Sequence, residues 1–205
     1  MPDLSWMQWA LLVLVAAGAA GVLAYILIFN RLVERRNRVR NAFAQIDVQL
    51  KRRHDLVPNL VSTAKRYLQH EAATLEAVTR ARGQAAGAAE ALRQHPSAEP
   101  AARALMQAER VLDGALGRLM MVTEAYPELK ADEVMRSLAE ELTSTENRIG
   151  FARQAYNDEV MVHNDTAGQF PALIVAALSG FPQLPMLEST QDDSERAAPR
   201  VAFAD

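Results

Sequence analysis

The uncharged run from Trp9 to Phe29 constrains the fold of this chain more than any other stretch. A helix of that length, at ~1.5 Å per residue, crosses a hydrocarbon layer of ~30 Å. Aromatic side chains, which favour the membrane interface, lie at both ends: Trp6, Trp9, Tyr25 and Phe29. We therefore predict a transmembrane anchor at residues 1–29. The long apolar run, with no positive charge before it, favours an uncleaved anchor over a cleaved signal peptide.

Charges on the two sides of the anchor predict its orientation. Asp3 and the amino terminus are the only charges before it, whereas a group of arginines follows it: Arg31, Arg35, Arg36, Arg38 and Arg40. Flanking Lys and Arg residues stay on the cytoplasmic side of a membrane. We expect a single-pass protein with its N-terminus outside, its body in the cytoplasm, and these arginines at the headgroups of the lipid bilayer.

Composition narrows the classes of function. The chain is 50% hydrophobic but only 6% aromatic, because alanine supplies much of the apolar content, and this composition suits close helix packing. The absence of cysteine excludes disulfides, thiolate metal sites and cysteine nucleophiles. A net charge of -3 gives no support for a nucleic-acid partner. Residues 30–188 are expected to form one domain of ordinary size.

A seven-residue apolar pattern follows the anchor. Its members are Val39, Phe43, Ile46, Leu50, Val57, Leu60 and Ala64. The pattern crosses Pro58 without a change of phase, although proline lacks the amide that would bond the carbonyl of His54. The phase therefore predicts a bend at Pro58 and not the end of a helix. We expect one helix, continuous with the anchor, from Asn30 to about Leu68, with a break at Gln69-His70.

Three further amphipathic helices follow, each with apolar residues at steps of three and four. We place them at residues 75–95, 97–126 and 132–164, with residues 128–131 as a loop. Ser97 and Asp132 are the expected N-caps of the last two. Short connections force neighbouring helices to run in opposite directions. The predicted fold is all-α: a transmembrane helix that continues into an elongated antiparallel four-helix bundle with a coiled-coil-like seam.

Two segments follow the fourth helix. Residues 170–181 are almost wholly apolar but too short to span a bilayer, so we expect them to be buried or to lie at the membrane interface. The direction of the fourth helix brings them back to the membrane. Residues 189–205 are polar and acidic without periodicity, which predicts a disordered tail.

Several blocks of sequence, in order along residues 30–188, match one family: Asn41–Val61, His70-Glu71, Ala81-Arg82, Glu124–Ala131, Thr145–Ile149, Tyr156-Asn157, Phe170-Pro171 and Gly180-Phe181. The chain resembles the LemA family of small bacterial membrane proteins. The resemblance implies a single-span anchor in the plasma (inner) membrane and a four-helix body, and it brings no established biochemical activity. The chain departs from the family's aromatic residues at Val134-Met135, His163 and Met186-Leu187.

The four histidines are the natural candidates for catalysis or metal binding. A Glu-x-x-His spacing, typical of metals in four-helix bundles, precedes none of them: His54, His70, His95 and His163. Glu159 and His163 are four residues apart, which favours an exposed ion pair on a helix over a metal site. Glycine-rich phosphate loops and nucleophile elbows are also absent from the sequence. We predict no catalytic, cofactor-binding or metal-binding residue.

The charged run Lys51-Arg52-Arg53-His54-Asp55 permits two interpretations. Arg53 interrupts the apolar stripe and can pair inside the bundle, with Glu124, Glu146 and Asp158 as candidate partners, or the run can dock a neighbouring copy. We favour internal pairing. Lipid contact is not expected, because Arg52 lies ~30 Å beyond the membrane at helical rise. Tyr126-Pro127 and Asn157 are interpreted as a turn and a helix-packing polar residue.

These features favour a membrane-anchored helical scaffold that acts by homo-oligomerisation or by docking other membrane proteins, without catalysis. Ala17 and Gly21 have the spacing that lets two membrane helices approach closely. The first alternative is a membrane-remodelling or membrane-sensing protein that uses residues 170–181 at the interface. The second alternative is an enzyme with an unrecognised site.

Overall fold

The computed structural model describes residues 6–187, and the predicted disordered tail at 189–205 lies outside them. All regular elements within the described residues are α-helices, which confirms the all-α prediction. Six helices follow one another: α1 (Trp6–Lys65), α2 (Ala72–Gln94), α3 (Glu99–Glu124), α4 (Pro127–Ala131), α5 (Glu133–Gly168) and α6 (Ala172–Ser179).

Helix α1 is both the membrane candidate and the central helix of the bundle. Its 60 residues continue through Pro58 without a break. The apolar first part is exposed from Trp6 to Leu27, and it is long and apolar enough to cross a membrane. The second part carries the predicted seven-residue stripe, which is buried at Val39, Ile46, Leu50 and Val57. One continuous element therefore joins the anchor to the core.

The other long helices pack around α1 in alternating directions. Helix α5 runs antiparallel to α1, because Arg52 contacts Glu141 near one end while Tyr25 contacts Ser179, beyond α5, near the other. Helices α2 and α3 form a hairpin whose turn lies at the height of Asp47, since Arg93 Nε donates to Asp47 Oδ1 at 3.0 Å. Between that height and the apolar run, the bundle consists of α1, α5 and α6, and we call this part the base of the rod. The predicted antiparallel bundle is confirmed.

The core consists of three apolar clusters along the rod. The distal core lies at the end far from the anchor and includes Leu60, Val78 and Leu119. The middle core surrounds Leu50 and Leu105. The base core lies next to the anchor and comprises Leu32, Ala167, Val175, Ala176 and Phe181. Full burial of a Leu side chain stabilises the fold by about 1.5–3 kcal/mol, so this long rod depends on many small contributions.

Local details differ from the prediction between the helices. Helix α3 begins at Glu99 after Ala98, and Ser97 does not cap it, so that prediction is wrong. The expected loop at 128–131 is also wrong: these residues belong to the short helix α4, which buries Leu129 completely. Asp132 does cap α5, since its Oδ1 accepts from the amide of Met135 at 3.0 Å.

Residues 170–181 fold back onto the base of the rod. Helix α6 ends at Ser179 and is followed by Gly180, whose φ of 70° is the left-handed conformation that glycine adopts without strain. Val175 and Ala176 belong to the base core, while the opposite face exposes apolar side chains: Phe170, Leu173, Ile174 and Leu178. The segment is therefore neither wholly buried nor free of the bundle.

Candidate functional site

Five charged or titratable side chains from three helices meet between the distal and middle cores. We call this group the charged layer: Arg53 and His54 of α1, Glu109 and Asp113 of α3, and Glu146 of α5. Apolar layers lie directly above and below it on each helix, such as Leu50 and Leu56 on α1. Arg53, His54 and Glu109 are buried, whereas Asp113 and Glu146 lie at the edge of the layer and are about half exposed. Buried charges in such a position are expensive unless they are paired.

Arg53 is the centre of the charged layer and is only 4% exposed. Its Nη1 atom lies 3.1 Å from Glu109 Oε2 and 3.1 Å from Glu146 Oε2, and its Nη2 atom donates to Asp113. His54 Nε2 lies 2.8 Å from the other oxygen of Glu109. Glu109 therefore bridges Arg53 and His54, and one guanidinium group holds α3 and α5 in register with α1.

Burial and charge shift the pKa values of this layer in both directions. Burial works against the charge of Arg53, but its hydrogen bond to Asp113 and the charges of the three carboxylates raise its pKa above the ordinary value. Burial raises the pKa of Glu146, and the charge of Arg53 only partly offsets that effect. The net effect is that Glu146 is harder to ionise than a carboxylate in water.

The predicted internal pairing of Arg53 is observed, but with a different set of partners. Glu146 was correctly proposed, whereas Glu124 pairs with Lys130 at 3.6 Å and Asp158 lies exposed on α5. Glu109 and Asp113 were missed. The sequence does indicate that Glu109 is buried, because it occupies a position in the apolar stripe of α3 between Leu105 and Leu112.

The neighbouring basic residues of α1 point away from the layer. Arg52 is paired within the chain, with its Nη2 atom 2.5 Å from Glu141 Oε1, and Lys51 is exposed. The seam between α3 and α5 leaves a cavity of about 240 Å³ beside the layer, lined by Arg53, Glu109 and Glu146 among others. Within residues 6–187, no group of three or more His, Asp or Glu side chains has an arrangement that fits a metal ion.

A second group of polar side chains lies on α5, nearer the apolar run of α1. After Gly180 the chain runs back along this helix, and we call residues 181–187 the terminal segment. Four side chains hold its main chain, and we call them the clamp: Tyr156, Asn157, His163 and Asn164. All of these contacts are made with backbone atoms of the segment.

The two asparagines of the clamp each bind both backbone groups of one residue. Asn164 Oδ1 accepts from the amide of Leu184 at 2.8 Å, and its Nδ2 donates to the carbonyl of the same residue at 3.0 Å. Asn157 holds Leu187 in the same way, at 2.8 and 3.1 Å. Such two-point contacts satisfy the backbone of an extended chain as a neighbouring strand would.

The two rings of the clamp bind the carbonyls of the prolines. Tyr156 Oη donates to Pro185 O at 2.9 Å, and His163 Nε2 donates to Pro182 O at 3.2 Å. Burial raises the pKa of Tyr156 to about 12, and the edge of its ring packs against Phe43 with the centroids 5.9 Å apart. The phenol is therefore held neutral, as a hydrogen-bond donor.

Two interpretations of α5 from the sequence are wrong. His163 is only 1% exposed and donates to Pro182, so it does not form an exposed ion pair with Glu159. Asn157 binds the terminal segment and does not serve helix packing. A signal was present in the sequence: Tyr156-Asn157 and His163-Asn164 are pairs of the same kind, seven residues apart.

The base of the rod brings the arginine group and α6 together. The terminal segment begins with Phe181, whose ring meets Phe29 edge-on at 5.6 Å and lies under the guanidinium of Arg36 at 4.8 Å. Arg38 pairs with Glu34 at 2.7 Å, whereas Arg31 and Arg40 are exposed. The Oη atom of Tyr25, near the end of the apolar run, lies 2.8 Å from Ser179 Oγ. Helix α6 thus lies beside the point where α1 leaves the apolar run.

Comparison with known proteins agrees with this architecture. The model of the LemA family matches residues 42–203, which is most of the chain. The chain belongs to the LemA family. The match includes the part of α1 that carries the charged layer and all of α5, so this LemA-family chain shares with its family the elements that form the bundle.

Three magnetosome proteins are similar to part of this LemA-family chain. Magnetosome proteins MamQ 2 and MamQ 1 of Paramagnetospirillum magneticum are each 32% identical over 79 residues, 38% of this chain and 29% of theirs. Magnetosome protein MamQ of Magnetospirillum gryphiswaldense is 30% identical over 81 residues, 40% of this chain and 30% of its own. The match thus spans less than a third of the length of these relatives.

Proposed function

We propose that this chain is a membrane-anchored scaffold that acts by self-association and by docking other membrane proteins along its rod. The observation that carries the proposal is that α1 is continuous from the apolar run to the distal core. Any partner that binds the bundle is thereby held at a fixed height above the membrane. The part of α1 beyond Phe29 is roughly 50 Å long at helical rise.

The charged layer supports this role because it fixes how the helices align. A buried arginine with three carboxylate partners penalises any arrangement that separates them, which favours one register of α1, α3 and α5. A rod with one register presents the same outer surface in every copy. Exposed apolar side chains on that surface, such as Phe151 of α5 and Met121 of α3, offer contact area to a partner.

Small residues of the apolar run supply a further surface for self-association. Ala17 and Gly21 lie one turn apart on α1, and a side chain added at Gly21 would meet open space. Two such helices approach closely at small residues of this spacing. We therefore propose that the anchors of two copies pack along this face.

Cross-linking of the full chain in native membranes tests self-association. Gly21→Leu is expected to reduce the cross-linked dimer, because the added side chain separates the helices. Ala19→Leu adds similar bulk on the opposite face of α1 and serves as the matched control. Recovery of monomer alone, with no co-purifying protein, would contradict the scaffold proposal.

We further propose that the anchor spans the bacterial plasma membrane with its N-terminus outside and its bundle in the cytoplasm. The arginines after the apolar run support this orientation. A reporter enzyme fused after Asp205 tests it. Activity on the cytoplasmic side is expected, and activity confined to the outer side would contradict the orientation.

A second candidate function is sensing or remodelling of the membrane surface by α6. The exposed apolar face of this helix lies beside Tyr25, and the exposed arginines Arg31 and Arg40 are close in sequence to the same level of α1. An apolar helix face next to cationic residues is typical of segments that lie in the interface of anionic membranes.

Quenching by lipids tests this second function in the full chain. Because the sequence contains no cysteine, Leu178→Cys accepts a single fluorescent label, and Glu133→Cys at the far end of α5 is the control. A quencher attached to the lipid is expected to act on the label at position 178 and not at position 133. Equal exposure of both labels to water would reject an interfacial α6.

The scaffold proposal assigns no catalytic step to the chain. The carboxylates of the charged layer contact Arg53 or His54, which supports a structural use for them. Elemental analysis of the purified protein tests this part of the proposal. Stoichiometric iron, zinc or manganese would favour an enzyme with a site that the sequence does not reveal.

A further inference from the structure

The clamp binds the terminal segment in a repeating register. Asn157 and Asn164 are seven residues apart on α5, and the residues that they hold, Leu187 and Leu184, are three apart. Tyr156 and His163 are also seven residues apart, and the carbonyls that they bind, those of Pro185 and Pro182, are three residues apart. Seven residues of helix rise ~10.5 Å, and three residues of extended or polyproline chain rise ~9–10 Å. The two periods match, with the segment running antiparallel to α5.

The sequence of the segment fits this register. It reads Phe-Pro-Gln-Leu-Pro-Met-Leu, so that prolines occupy two positions from which the clamp requires only a carbonyl. The amides that the clamp does bind belong to the leucines. Proline fixes φ near −65° and keeps the chain extended before it binds, which lowers the entropy lost on docking.

The side chains of the segment add apolar selectivity. Leu187 is only 1% exposed and belongs to the middle core, while Leu184 is half-buried against the same cluster. The clamp is therefore a site for an extended peptide of the form Pro-x-Leu-Pro-x-Leu. Recognition depends on backbone groups and on two leucines, and it does not require that the peptide belong to the same chain.

The hydrogen bonds that the structure shows to the backbone of residues 182–187 all come from one side, from side chains of α5. Between the terminal segment and the start of α3 lies an open cleft of about 590 Å³, lined by Ala102 and Met106 on α3 and by Pro185 and Met186 on the segment. No backbone ladder of regular structure joins the segment to the bundle within the described residues. The contacts that keep it in place are those of the clamp and of its buried side chains.

We propose that the clamp binds the terminal segment of a second copy, so that neighbouring chains exchange their segments. The exchange rests on the self-association proposed above and names the contact that makes it. Because α1 anchors every copy, the clamp of one copy and the segment of the next lie at the same height above the membrane. The exchanging arm comprises α6 and the segment, and residues 169–171 form its hinge.

Exchange competes with docking inside one chain. A short tether gives the chain's own segment an effective concentration on the order of mM, so isolated copies keep the segment in their own clamp. Crowding in the plane of a membrane raises the concentration of the competing segment. The exchanged form is therefore favoured as the ratio of protein to lipid increases.

Disulfide trapping between chains tests the exchange in full-length protein. Met106→Cys and Met186→Cys place one cysteine on each side of the cleft, and the chain has no other cysteine. Two differently tagged chains, each with one of the substitutions, are co-expressed and oxidised in the membrane. Ala104→Cys, exposed on α3 outside the cleft, replaces Met106→Cys in the matched control.

The expected result is a disulfide between the two tagged chains that is several-fold more abundant than in the Ala104→Cys control. Its yield rises with the ratio of protein to lipid and falls several-fold when Asn157→Ala and Asn164→Ala are added. A chain that carries both cysteines reports correct folding, because its internal disulfide forms in dilute vesicles.

Two other outcomes separate this inference from the scaffold proposal. If an amine-reactive reagent cross-links the protein into oligomers while the cysteine pair does not exceed its control, exchange is rejected and self-association stands. If neither reagent joins two chains at any ratio of protein to lipid, both proposals are rejected.

Discussion

Arg82 of α2 donates a 3.0 Å hydrogen bond from its Nε atom to the carbonyl oxygen of His54 on α1. This carbonyl is the one that Pro58, four residues later, leaves without a helical donor. A side chain of a second helix thus replaces the missing backbone amide. The replacement explains how α1 continues through a proline in the middle of the bundle with the phase of its apolar stripe unchanged.

Loss of Arg82 is expected to matter only while Pro58 is present. Arg82→Met leaves the carbonyl of His54 unpaired and lowers the free energy of unfolding by about 1–3 kcal/mol. In a Pro58→Ala background the new amide can bond that carbonyl, so Arg82→Met costs much less. A double-mutant cycle by chemical denaturation in detergent measures the difference. Arg80→Met, on the exposed side of α2, is the control, and equal costs in both backgrounds would contradict the account.

Removal of Glu109 is expected to destabilise the bundle severely. Glu109→Ala leaves both Arg53 and His54 without this partner in a buried layer, and breaking a buried pair in this way costs about 3–5 kcal/mol. Glu140→Ala, an exposed change on α5, is expected to stay within about 0.5 kcal/mol of the parent. Denaturation curves of the two variants check the prediction, and similar midpoints would show that the charged layer is not a determinant of stability.

The cap of α5 is expected to impose a pH dependence at the acid end. Hydrogen bonds from the amide of Met135 and the hydroxyl of Tyr67 lower the pKa of Asp132 below its ordinary 3.8. Its contribution to stability is therefore present above pH 3.8 and lost as the pH falls through the lowered value. Asp132→Ala should reduce the melting temperature at neutral pH more than Asp132→Asn, which still caps. The advantage of the parent over Asp132→Asn should disappear in strong acid, where the carboxyl is neutral like the amide, and a constant difference between these two proteins would contradict the assignment.

The phenol of Tyr156 is expected to ionise at a higher pH than an ordinary tyrosine. Burial raises its pKa to about 12 from an ordinary 10, so its contribution to stability is complete below pH 10 and is lost as the pH rises through about 12. Absorbance of the phenolate should show a late phase that Tyr156→Phe reduces and that Tyr126→Phe leaves in place. A part of this phase remains in Tyr156→Phe, because the hydrogen bond from Tyr67 to Asp132 also raises the pKa of Tyr67. A late phase of unchanged size in Tyr156→Phe would contradict the assignment.

The sequence was a good guide where periodicity determines structure. The stripe from Val39 to Ala64 predicted a helix through Pro58, and the prolines and short connections between the helices predicted their order and directions. These features depend on neighbours three or four residues apart, which a single sequence displays. The position of α6 at the base of the rod followed from the same count of helix directions.

Contacts between distant residues were predictable only in part. A buried Arg53 needs carboxylate partners. Which carboxylates of α3 and α5 it contacts depends on how far these helices are shifted along their axes relative to α1. That offset places Glu109 and Asp113 beside Arg53 and leaves Asp158 in solvent. The clamp was harder still, because its partner is an irregular segment without a period, and only the repeat of Tyr156-Asn157 at His163-Asn164 gave any indication of it.

The mass of the assembly in its native membrane tests the central claim most directly. Full-length protein is extracted with its surrounding lipid in polymer nanodiscs, without detergent, and single particles are weighed and imaged. A scaffold predicts particles that contain two or more 22.6 kDa chains, alone or with a co-purifying membrane protein. Particles that contain one chain and no other protein, at the expression level of the native membrane, would contradict the account.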